Sequence, residues 1–149
     1  MRLRREGGRL PTRPAVRRID FPILSCFLRL HARATELAGP HFEVTLAEGE
    51  SSEFPMPRNM AYCHRDDDSG ALTIVVAPKL VRGSEDRIEG VLRHEFGHAL
   101  LFYWGYPEHG ERDADSLAEH VFGDPIYYDR ETVQTTRGGT RPRPAYLGL

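Results

Sequence analysis

Positions 94–98 of this 149-residue chain read His94-Glu95-Phe96-Gly97-His98. On an α-helix, residues four apart share a face one turn from each other. Two imidazoles so placed can both reach one metal ion. The glutamate beside the first is then set to act on a water at that metal rather than on the metal itself. The chemistry such a set can perform is metal-assisted hydrolysis, above all of a peptide bond. It needs a helix under the motif, a third metal ligand, and a wall against which substrate can lie.

The helix is the easiest of these to find. From Ser84 to Trp104, apolar residues recur at helical spacing, at Ile88, Val91, Leu92, Ala99, Leu100 and Tyr103. Ser84 is a good N-cap, and Glu85 and Asp86 fall in the first turn, where the helix dipole favours acids. Gly105 and Pro107 end the segment. Gly97 is costly in mid-helix, and a strand or second helix passing close would explain it.

Catalytic zinc usually takes three protein ligands and a water, so the chain downstream must supply one more. An astacin-like continuation needs a glycine at 101 and a histidine at 104; Leu101 and Trp104 stand there and exclude it. Further along, the chain reads Glu111-Arg112-Asp113-Ala114-Asp115-Ser116-Leu117-Ala118. With Val121 and Phe122 this run marks a second amphipathic helix, stopped by Gly123 and Pro125. The first helix extends only about 9 Å past His98 at 1.5 Å per residue, so the loop Tyr106 to Gly110 can return Glu111 to the metal. His109 competes for the third position as a loop histidine, and Asp113 or Asp115 could replace Glu111. An acid at 111 also has a plain structural use at a helix N-terminus.

The pair H-E-x-G-H and E-x-[DE]-A-[ND]-x-[FL]-A resembles the gluzincin-type peptidases of the ImmA/IrrE kind, small bacterial and phage proteins. The match runs from Leu92 to Phe122, about a fifth of the chain. The resemblance implies a zinc peptidase in which His94, His98 and Glu111 are the metal ligands and Glu95 is the general base. Where that family often has asparagine, this chain has Asp115, expected to orient a ligand imidazole by accepting its hydrogen bond. In the implied mechanism zinc lowers the pKa of a bound water towards 7. Glu95 takes its proton and passes it to the leaving amine. The developing oxyanion leans on zinc and one further donor, with His109 and the Tyr127-Tyr128 pair as the candidates.

The remaining elements should build a compact α+β, zincin-like domain over residues 19–136. A helix is expected from Ile19 to Leu37, burying Phe21, Leu24, Phe27, Leu28 and Leu30 or His31, and ended by Gly39-Pro40. Strands are expected at His41 to Ala47, Met60 to His64 and Ala71 to Ala77. The last is nearly all apolar and should be central. Asp66 to Gly70 reads as a hairpin tip, since it lacks the ligand series of a calcium loop. Zincins pair extended substrate with one strand beside the cleft. The resemblance implies that role for a strand here, with the edge strand Met60 to His64 as the candidate and His64 able to face the cleft. The polar loop Glu48 to Arg58 has the composition of a lid and equally of an idle surface loop.

Composition bounds the rest. One domain with a sizeable core fits this length. No apolar run nears the ~20 residues of a membrane span, and no long apolar stretch succeeds the first arginines as in a secretory signal. Cys26 and Cys63 suit reduced thiols and a cytoplasmic setting. Net charge is −2, yet residues 1–18 hold seven arginines and one acid. They read as a basic flexible arm, open to weak contact with nucleic acid or an acidic partner. Residues 137–149 read as a flexible tail. The expected partner is a polypeptide substrate. Two other readings use the same residues. One is a metal-stabilised, zincin-shaped binding module that cuts nothing. The other is a DNA-associated regulator held near its target by the arm, although no helix-turn-helix segment is visible.

Overall fold

A computed structural model describes residues 19–123. It is an α+β arrangement of three helices and one three-stranded mixed sheet. In chain order the elements are α1 (Phe21–Ala38), β1 (Val44–Glu48), β2 (Ala61–Arg65), β3 (Leu72–Val76), α2 (Glu85–Tyr103) and α3 (Glu111–Phe122). The arm, the tail and Tyr127-Tyr128 lie outside the described residues.

β3 is central, as its apolar sequence predicts. It pairs in parallel with β1 (Leu46 opposite Ile74) and antiparallel with β2 (Cys63 opposite Ile74). The β2–β3 connection is the expected hairpin tip. Asp66 Oδ2 accepts from the Ser69 backbone and hydroxyl, and Gly70 takes φ +78° to complete the turn. Leu72, Ile74 and Val76 turn one face of β3 into the main core against the helices. Val75 and Ala77 on its other face bury Phe54, from the 48–58 loop. Lys79 Nζ donates to the carbonyls of Phe54 and Met56, and the Tyr62 hydroxyl to Glu53 Oε1. That loop is therefore a cover for the sheet face away from the helices, not a lid over the motif.

α1 buries Ile23, Cys26, Phe27, Leu30 and Ala34. This stripe at i, i+3, i+4, i+7 and i+11 leaves Phe21 and Leu28 exposed, contrary to the expectation for both. His31 is half-buried at the edge of the core: its Nε2 accepts from the Val44 backbone at 3.2 Å, and its ring lies among Phe27, Phe42 and Phe96. β1 starts later than alternation suggests. Phe42 is buried from the turn after Gly39, where its N–H meets the Gly39 carbonyl, so its apolar character mimics a strand position.

The α2–α3 contact sets the motif in place. Ser84 Oγ accepts from the Arg87 N–H and starts α2. At the other end Gly105 takes φ +91°, and Gly105 and Tyr106 donate to the carbonyls of Phe102 and Leu101. This Schellman arrangement stops the helix and reverses the chain. α3 then begins where Asp113 accepts from the Gly110 N–H at 2.8 Å. It lies so close on α2 that a Cβ at Gly97 would sit 2.2 Å from the Ala114 carbonyl oxygen. The mid-helix glycine is thus required by the backbone of the second helix. Gly97→Ala is expected to destabilise the fold by about 1–3 kcal/mol, despite the ~1 kcal/mol gain in helix propensity. Urea unfolding measures it, and an unchanged or raised midpoint would contradict the close approach.

Candidate metal centre

Gly97 separates the two motif histidines, so the turn that carries them is the turn on which α3 rests. Ala114 and Ala118 are wholly buried there, and their small size lets the first turn of α3 project Glu111 over the histidine pair. Glu111 Oε1 lies 2.8 Å from His94 Nε2 and 3.2 Å from His98 Nε2. The two imidazoles stand nearly perpendicular, with centroids 4.8 Å apart. One ligand atom from each residue falls within 4.8 Å of the others, so the three side chains can hold a metal ion. Ligand atoms on a tetrahedral zinc stand about 3.3 Å apart for bonds of about 2.0–2.1 Å. The group needs only small side-chain shifts to accept an ion.

The centre is closed on one side and open on the other. The His94 and His98 side chains are 6% and 12% exposed, against 54% for Glu111. Burial acts to raise the Glu111 carboxyl, but its close contacts with the His94 and His98 imidazoles outweigh it and hold the group well below the usual carboxylate range. Glu111 is thus anionic, as a metal ligand must be.

Glu95 is buried, and its Oε1 has no hydrogen-bond partner. Burial raises its carboxyl to about 7, with His94 acting to lower it and Glu111 to raise it. In the metal-free protein the folded state therefore keeps this proton to higher pH than the unfolded chain, whose carboxyl titrates at the ordinary 4.5. The stability so gained is complete below the unfolded value and is lost as pH rises through about 7. The loss is on the order of 3 kcal/mol. Glu95→Gln cannot ionise and is expected to flatten this slope. Urea unfolding of both metal-free proteins from about pH 5 to about pH 8 measures it, and parallel slopes would contradict the assignment.

No protein-family model, curated protein or solved structure matches this chain.

Of the residues that compete for the third ligand position, only Glu111 joins the histidines among the described residues. Asp113 is the cap of α3. Asp115 is mostly buried, with its Oδ1 3.9 Å from His94 Nδ1, beyond hydrogen-bond range, and without a hydrogen-bond partner. That oxygen lies on the His94 ring edge away from Glu111. His109 lies behind the other histidine. Its Nε2 is 2.8 Å from His98 Nδ1, the nitrogen opposite the one that faces Glu111, and its Nδ1 is 2.6 Å from the Tyr106 carbonyl. Burial lowers its pKa, with the Tyr106 contact acting the other way. His109 is therefore not one of the three converging ligands.

β2 borders the motif helix with Ala61 and Cys63, which pack in the helix-side core, and with Arg65, whose guanidinium lies 5.8 Å from the Phe102 ring centroid. Strand alternation puts Tyr62 and His64 on the opposite face, where Tyr62 stacks on Phe54. His64 therefore faces away from the motif, contrary to the expectation that it could line the cleft. Cys26 and Cys63 are both free thiols. No helix among the described residues is long and apolar enough to cross a membrane.

Proposed function

We propose that this chain is a zinc-dependent endopeptidase, of gluzincin type and similar to the ImmA/IrrE peptidases. The observation that carries the reading is the convergence of His94 Nε2, His98 Nε2 and Glu111 Oε1 beside the buried Glu95. Two imidazoles and one carboxylate form a known donor set of catalytic zinc, and a catalytic site keeps one position open where a structural site is closed. The exposed flank of Glu111 supplies that opening. The orphaned, buried Oδ1 of Asp115 beside His94 fits the same reading, because ligand imidazoles commonly donate their second N–H to a carboxylate.

Bound zinc supplies Lewis acidity, which acidifies a water and polarises a carbonyl. The chain's own residues do the rest. His94 and His98 offer lone pairs from one helix face, and Glu111 brings the negative charge. Glu95 accepts the proton of the attacking water and delivers it to the departing amine. Its burial suits both halves of that exchange, since a carboxyl poised near neutrality takes up and gives back a proton readily. Extended substrate would add along β2, whose outer edge has no strand partner among the described residues. Such a peptide would lie beside α2, within reach of Cys63 and Arg65.

A library of peptides from natural proteins, sampled by mass spectrometry, tests the activity. The wild type is expected to produce defined internal cuts that a chelator abolishes and added zinc restores. Cleavage untouched by chelation would sink the metal mechanism.

A further inference from the structure

We propose that His109 is a positioning residue, which fixes the tautomer and orientation of His98 through a two-ring relay anchored on the Tyr106 carbonyl. The proposal rests on the metal reading and adds to it a residue outside the three converging ligands.

The relay follows from counting donors. The Tyr106 carbonyl can only accept, and it lies 2.6 Å from His109 Nδ1, so that nitrogen carries the hydrogen. A neutral imidazole with its hydrogen on Nδ1 presents a bare lone pair at Nε2. That lone pair lies 2.8 Å from His98 Nδ1, which must therefore be the donor. Neutral His98 is then left with its own lone pair at Nε2, which faces Glu111 Oε1 at 3.2 Å. Two acceptors face one another there. Only a cation between them, a proton or a metal ion, makes the contact favourable. A chain of two hydrogen bonds thus delivers a lone pair to the metal position.

Each part of the relay is held in place. The Schellman turn fixes Tyr106, because its N–H donates to the Leu101 carbonyl. The His109 ring meets the edge of Phe102 at a centroid distance of 4.9 Å and lies 5.0 Å from the His98 ring. The two ligand histidines are therefore supported differently. His94 has a carboxylate, Asp115, beside its Nδ1. His98 has a neutral acceptor, which orients the ring without adding negative charge to a centre that already holds Glu111 and Glu95.

The test has two readouts on the full chain. In metal-free, nitrogen-15-labelled wild type, the shared proton is expected to show its one-bond coupling to His98 Nδ1. A through-bond nitrogen–nitrogen coupling should reach His109 Nε2. A proton on His109 Nε2, or no coupling between the rings, would overturn the relay without any variant. Zinc affinity, from competition with a chromogenic chelator, is the second readout. His109→Phe keeps an aromatic ring but has no acceptor, and is expected to weaken zinc binding roughly 10–100-fold. His109→Gln restores an acceptor and is expected to recover most of that loss. Equal affinity in wild type and His109→Phe would overturn the relay alone. A wild type that binds no zinc would overturn the metal reading and with it the relay's role as a metal support.

Discussion

Glu95→Gln is expected to keep its zinc and lose peptide hydrolysis, by about 10²–10⁴-fold or more. The substitution preserves shape and removes the group proposed to move the proton. Glu95 is not among the three residues that converge as ligands, so metal content should be unchanged. It is buried, with one oxygen already lacking a hydrogen-bond partner, so the neutral amide should be tolerated by the fold. Metal analysis and cleavage of one library-derived peptide by both proteins measure the outcome. A variant that cuts as fast as wild type would end the general-base assignment. The same experiment separates a peptidase from a metal-stabilised binding module, for which Glu95→Gln would leave function intact.

Glu111→Gln should behave in the opposite way and lose the metal first. The carboxylate supplies the only negative charge among the three converging side chains, and its Oε1 meets both imidazoles. Loss of a supporting residue costs roughly 10–100-fold in metal affinity, so removal of a ligand's charge should cost at least ~100-fold. Activity should fall with zinc occupancy and recover in part at high zinc. Zinc affinity equal to wild type would return the third position to another residue. The fold should survive, because Asp113, not Glu111, caps the N-terminus of α3.

Much of this centre was legible in the sequence because it rests on helix physics. The cap at Ser84, the stop at Gly105 and the periodic apolar residues between them bound α2 to within a residue. Periodic apolar residues and the stop at Gly123 marked α3, but not its start at the Gly110 cap. Gly97 announced a close neighbour, and its neighbour is the Ala114 backbone. Helical spacing then put His94 and His98 on one face, and the short connection returned Glu111 to it. The strands were legible in number and order more than in detail. Phe42 reads as a strand position but is buried from a turn. The pattern around Phe21 and Leu28 does not reveal which side of α1 meets the core. His64 needed only the correct parity of β2, which neighbours on both sheet faces decide. The place of His109 was not legible at all. It depends on the path of the chain between the helix stop at Gly105 and the cap at Gly110, and no periodicity encodes a path through a turn. The Tyr106 carbonyl that anchors it is a backbone atom, invisible to any reading of side-chain types.

The central claim is that His94, His98 and Glu111 hold one zinc ion. Metal analysis of the wild-type protein, purified without chelator, tests it most directly. Zinc is expected in equimolar amount with the chain, and its loss is expected in Glu111→Gln. Wild-type protein that carries no zinc and takes up none on titration would contradict the claim.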